Sequence, residues 1–105
     1  MFMKIPKQIK IGGLWYEVKT SDYMKSGPNC YGEIDSLDLT INIRNNIHEE
    51  MQKQALLHEI IHGILDNAGY DEQDEKLVQA ISYGLIQVIT DNPYVFVNTA
   101  ETEVK

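Results

Sequence analysis

His58-Glu59-Ile60-Ile61-His62 is the one stretch of this chain whose residue types and spacing could do chemistry. Residues four apart on an α-helix lie one above the other on the same face, so two imidazoles at that spacing can grip one cation. The glutamate between them projects close beside that cation. Two neutral ring nitrogens are good donors for zinc, and a carboxylate next to the metal is placed to act as a general base. The chemistry this set supports is attack by zinc-activated water on a carbonyl.

A catalytic zinc takes three protein ligands and keeps a fourth position open. A third ligand must therefore come from another segment. Asp66-Asn67-Ala68-Gly69-Tyr70 follows the motif without a further histidine. His48 is ten residues before His58, about 15 Å away along a helix. The candidates that remain are Asp71, Glu72, Asp74 and Glu75. Asp71 suits a helix cap, and Glu72 points outward on the phase set by Leu77, Ile81 and Leu85. Asp74 and Glu75 border the inner face, and Glu75 aligns with Val78, Gln79 and Ser82. Its longer side chain reaches better across an interhelical gap of about 8–10 Å, so Glu75 is the expected third ligand and Asp74 the substitute. The bland alternatives are core histidines bonded to backbone, and an acidic first turn that complements a helix dipole. Against the first stands the cost of burying two imidazoles and a carboxylate without partners, several kcal/mol.

The elements that must position these residues are legible in outline. Asn46-Ile47-His48-Glu49 has the form of a capping box, which predicts a helix start near residue 47. Ile47, Met51, Ala55, His58, His62 and Leu65 then recur at steps of three or four, with Leu57, Ile61, Ile64 and Ala68 widening the stripe. On this phase both histidines face inward. Gly69 is the expected stop. A second helix is expected after Asp71, running to about Thr90, with Leu77, Val78, Ile81, Leu85 and Val88 inward and Asn92-Pro93 ending it. Gly63 costs about 1 kcal/mol in a helix interior, which implies close packing beside His62.

The first 45 residues have a β-like pattern. Ile9–Ile11 and Leu14–Lys19 flank Gly12-Gly13, a turn signal. Tyr31–Asp35 and Leu39–Ile43 flank a second turn, and the latter alternates cleanly. The expected fold is α+β: a small, twisted antiparallel sheet of about three strands packed on two long helices. Residues 1–93 form the expected single domain, and residues 94–105 a tail with an apolar patch at Tyr94–Val97.

The chain has 105 residues, 43% of them apolar, enough for one modest core. Its net charge of −7 argues against nucleic acid or an anionic membrane as the main partner. One cysteine, Cys30, excludes an intrachain disulfide framework, and a free thiol fits a reducing cytoplasm. The N-terminus has no apolar core of a signal peptide, and no run approaches the length of a membrane span. A cytoplasmic location is expected.

The motif, the short turn after it and Glu75-Lys76-Leu77-Val78 opening a second apolar helix together resemble small zincin-type metallopeptidases of bacteria and phages. The layout, from about Tyr31 to Pro93, is similar to the ImmA/IrrE group and its compact phage-encoded relatives. That resemblance implies a minimal zincin-like fold, Zn2+ as cofactor, and a peptide or protein substrate of regulatory kind. It also implies that a strand edging the cleft, Leu39–Ile43 or Tyr31–Asp35, pairs with extended substrate. On this reading His58, His62 and Glu75 hold zinc, Glu59 is the general base, and Tyr31, Tyr70 or Tyr83 could donate to the oxyanion. Cys30, just before one of those strands, is read as an ordinary cysteine. The alternative is a zinc-stabilised protein-binding module that does not cut.

Overall fold

The computed structural model describes residues 4–96. The elements are β1 (Gln8–Ile11), β2 (Leu14–Ser21), β3 (Gly32–Asp35), β4 (Thr40–Arg44), α1 (Glu49–Asn67) and α2 (Glu75–Asp91), followed by a 3-10 turn at Pro93–Phe96. The architecture is α+β, as expected. The sheet differs from expectation in having four strands in the order β1-β2-β4-β3. It is also mixed: β1–β2 and β3–β4 are antiparallel hairpins, whereas β2 and β4 run parallel.

The hairpins follow from local chemistry. Ile11 pairs with Leu14 across Gly12-Gly13, whose φ angles of +59° and +84° are those a two-residue turn requires. At the other hairpin the Asp35 carboxylate accepts from the backbone N–H groups of Leu37 and Asp38 and holds the turn. The parallel pairing of β2 with β4 makes β3 an edge. Of the two strands expected to border the cleft, Leu39–Ile43 is therefore corrected: β4 is bonded on both sides, and among the described strands β3 is the sheet edge there.

Arg44, at the end of β4, fixes the long β2–β3 connection. Its guanidinium donates to the carbonyls of Cys30, Asp22, Gly27 and Pro28, at 2.9 to 3.3 Å. Burial raises the Glu33 carboxyl, but the N–H groups of Lys25 and Ser26, the Ser26 hydroxyl and the Asn42 amide all donate to it and hold it below the usual range. A connection without regular structure is thereby given a definite shape beside the cleft.

Ile41 and Ile43 project from β4 with no exposed surface and pack with Ile11, Tyr16, Ala55 and Leu56. This is the alternation anticipated for that strand. A second apolar group, Leu57, Ile61 and Val78, joins α1 to α2. α1 lies so close to the sheet that a Cβ on Gly63 would stand 3.0 Å from Ile34 Cδ1 and 3.1 Å from Ile11 Cδ1. The tight packing anticipated for Gly63 is present.

The helix boundaries and phases contain both agreement and correction. α1 ends in a Schellman arrangement: Gly69 has φ +94°, Tyr70 N–H donates to Leu65 O and Gly69 N–H to Asp66 O. Its start is not the Asn46 box. His48 is the cap, and its Nδ1 accepts from Glu50 N–H. In α2 the cap is Asp74 rather than Asp71, and the helix begins three residues later than Asp71 would have set it. Its buried residues are Val78 and Ser82, while Leu77, Ile81 and Val88 are exposed. The expected phase is about one position out, because α2 turns the Glu75–Val78–Ser82 line toward α1. Ile64 and Ala68, expected to widen the inner stripe of α1, are exposed as well. Tyr94, Val95 and Phe96 lie against the end of α2 and remain exposed; Val97 and the rest of the expected tail lie outside the described residues. No described helix is long and apolar enough to cross a membrane.

Candidate metal centre

α1 carries His58 and His62 one turn apart, and their rings meet edge to face with centroids 4.9 Å apart. The Nε2 atoms are 3.2 Å apart. Glu75, the first residue of α2, spans the pair: Oε1 is 2.9 Å from His58 Nε2 and Oε2 is 2.8 Å from His62 Nε2. Among the described residues these three form the one group of histidine, cysteine and acidic side chains whose donor atoms converge, all within 4.8 Å. Asp74, the substitute, is engaged elsewhere, since its carboxylate accepts from Lys76 and Leu77 N–H as the helix cap.

The donor set fits a divalent cation. Two ring nitrogens and two carboxylate oxygens crowd into one small volume; the oxygens can only accept, and each Nε2 either donates a proton to them or, in the other neutral tautomer, offers a lone pair. In that second form one cation would satisfy all four atoms together. Two histidines and a carboxylate are also the ligand chemistry of catalytic zinc sites.

The histidines are less buried than expected. Their side chains are 15% and 17% exposed and border the α1–α2 seam, and Glu75 is open to solvent. The deeply placed member is Glu59, only 8% exposed. Burial pushes its carboxyl up to about 7; His62 opposes the rise, while Glu75 and Glu33 add to it. A bound dication would favour the carboxylate and lower this value.

Glu59 and His58 sit in an open cleft of about 470 Å³ that is also bordered by Cys30, Tyr31, Gln54 and Tyr83. Two of the three tyrosines considered as donors thus reach the cleft. Tyr70 lies away from it, and its carbonyl accepts from the Gln73 amide. Cys30 borders the cleft without joining the converging donors. Two contributors had no counterpart in the sequence reading: Arg44, which shapes the cleft-side loop, and Gln73, whose Oε1 meets His62 Nδ1 at 2.5 Å. The only available signal for Gln73 was its place in the short linker between the two helices that carry the converging side chains.

Comparisons with protein-family models, curated proteins and solved structures found no match for this chain.

Proposed function

We propose that the protein is a small zinc-dependent endopeptidase that hydrolyses a peptide bond in the cleft between α1, the start of α2 and the β3 edge. The observation that carries this reading is the convergence of His58, His62 and Glu75 with Glu59 buried beside them. His58 and His62, through Nε2, and Glu75, through its carboxylate, would hold the zinc. When bound, such a cation lowers the pKa of water and polarises a carbonyl.

The chain's own groups account for the rest of the reaction. Glu59 is the proton carrier: its carboxylate takes the proton of the attacking water and returns it to the leaving amine nitrogen. Burial pushes this carboxyl up, and a bound cation would bring it back toward the carboxylate that the first step needs. An extended substrate would add to β3 by main-chain hydrogen bonds, because that edge is free and borders the cleft. Tyr31 and Tyr83 border the same space and are the tyrosines that could donate to a developing oxyanion.

The test is metal content of chain purified without added metal or a histidine tag, followed by cleavage of a peptide library. Support would be one zinc per wild-type chain, none in His58→Ala, and weakened binding in Glu75→Ala. Glu59→Gln should keep the zinc and lose cleavage. Zinc binding with no cleavage by any form would leave a zinc-stabilised binding module. No zinc after reconstitution would end both readings.

A further inference from the structure

We infer that Gln73 is a positioning residue for the metal centre: it holds His62 as the tautomer protonated at Nδ1, so that Nε2 offers its lone pair toward His58 and Glu75. The inference rests on the metal-centre reading and adds a residue that the ligand motif does not contain.

The argument begins with the end of α1. The Schellman turn at Gly69 fixes the backbone of Tyr70, whose N–H donates to Leu65 O at 2.9 Å. The Tyr70 carbonyl in turn accepts from Gln73 Nε2 at 3.0 Å. A carbonyl oxygen can only accept, so the amide must present its NH2 end to Tyr70. Its Oε1 is thereby aimed at His62 Nδ1, 2.5 Å away. An amide oxygen also can only accept, so the ring proton must reside on Nδ1. His62 Nε2, 2.8 Å from Glu75 Oε2 and 3.2 Å from His58 Nε2, then either carries a second proton toward that carboxylate, which also can only accept, or gives its lone pair to a cation in the proton's place.

The opposite amide orientation makes a different prediction. It would set Gln73 Oε1 against the Tyr70 carbonyl, two acceptors in contact, and turn the NH2 toward His62 Nδ1. The ring proton would then move to Nε2 and bond Glu75, closing the site to metal. The helix terminus therefore sets the amide, the amide sets the ring proton, and the ring proton sets the ligand. Outer partners of this kind are worth about 10–100-fold in metal affinity.

The experiment measures zinc affinity by chelator competition for wild type, Gln73→Leu and Gln73→Glu, with nitrogen-15 spectra of the histidine rings in the zinc-loaded chains. Gln73→Leu removes the acceptor, and Gln73→Glu keeps an oxygen of similar reach. Expected are a slowly exchanging His62 Nδ1 proton in wild type, about 10–100-fold weaker zinc binding in Gln73→Leu, and recovery to within a few-fold in Gln73→Glu. A His62 proton found on Nε2 in wild type would overturn the inference without any variant. So would Gln73→Leu binding zinc as tightly as wild type while wild type binds it well. A wild-type chain that takes no zinc would instead overturn the metal centre and this inference with it.

Discussion

Glu59 fills the space that a side chain at Gly32 would need, across the seam between α1 and the edge strand: a Cβ at position 32 would stand 3.2 Å from Glu59 Cγ. The same Cβ would lie 3.2 Å from Ile43 Cδ1 and 3.4 Å from Ala55 Cβ, so there is little room for it to shift. The strand expected to receive substrate therefore also sets the stem of the expected proton carrier. Gly32→Ala should displace the carboxylate by a few tenths of an ångström while leaving the three metal ligands alone. The expected outcome is a fall in cleavage of tenfold or more, given that about 1 Å of misplacement can cost 100-fold. Zinc affinity should stay within about twofold. Equal cleavage by Gly32→Ala and wild type would show that Glu59 position does not limit the reaction.

Zinc should stabilise the fold strongly, because the proposed ligands lie on two helices that otherwise meet through apolar contact around Leu57, Ile61 and Val78. A ligand at a thousand times its dissociation constant adds about 4 kcal/mol. For a domain near 100 residues that corresponds to a rise of roughly 15 °C or more in the thermal midpoint. Scanning calorimetry with zinc and with excess chelator measures it, and Glu75→Ala should shrink the difference. An identical midpoint in both conditions would argue against a link between the helices through metal.

The pH dependence of stability should change sign with metal. In the metal-free fold Glu59 has its pKa raised from 4.5 to about 7. The folded state thus holds this proton more tightly than the unfolded chain. Its stabilising contribution is complete below the unfolded value and disappears as pH rises through about 7. The full span is roughly 3 kcal/mol at 1.36 kcal/mol per pKa unit. Urea unfolding with chelator present should therefore show lower stability near pH 7.5 than near pH 5, and Glu59→Gln should flatten that contribution. With zinc present the trend should run upward over the same range, since histidine ligands must be deprotonated to bind. A metal-free chain that gains stability between those pH values, with Glu59→Gln behaving identically, would contradict the buried-carboxyl account.

What the sequence revealed best was periodic and local. His58, Glu59 and His62 share one helix, and Gly69 closes it with a positive φ, both readable from spacing and residue type. Glu75 aligns with Val78 and Ser82, the two residues that α2 buries, and this alignment sets it against the two histidines. The same helix shows that apolar character is not burial: Leu77, Ile81 and Val88 are exposed because it is the Glu75–Val78–Ser82 line of α2 that faces α1. The parallel β2–β4 pairing was not legible either, since it joins strands separated by the whole β2–β3 loop and the β3–β4 hairpin. The cap at His48 was hidden by a better-looking asparagine two residues earlier. Gln73 acts through one amide in a linker, and such a residue carries no periodic signal.

Gly63 offers the sharpest mechanical test of how α1 is seated. Replacing a mid-helix glycine with alanine gains about 1 kcal/mol of helix propensity. Here the new methyl would meet Ile34 Cδ1 at 3.0 Å and Ile11 Cδ1 at 3.1 Å. Both neighbours are the far ends of side chains and can give by a few tenths of an ångström, so Gly63→Ala should be near neutral, within about 1 kcal/mol. Gly63→Leu cannot be absorbed that way. It should overpack the seam, cost about 1–3 kcal/mol, and lift α1 from the sheet beside His62. Urea midpoints would measure the first effect and chelator competition the second. If Gly63→Leu is as stable as wild type and binds zinc equally well, α1 is not pinned to the sheet at this point, and the glycine owes its place to something other than contact with Ile11 and Ile34.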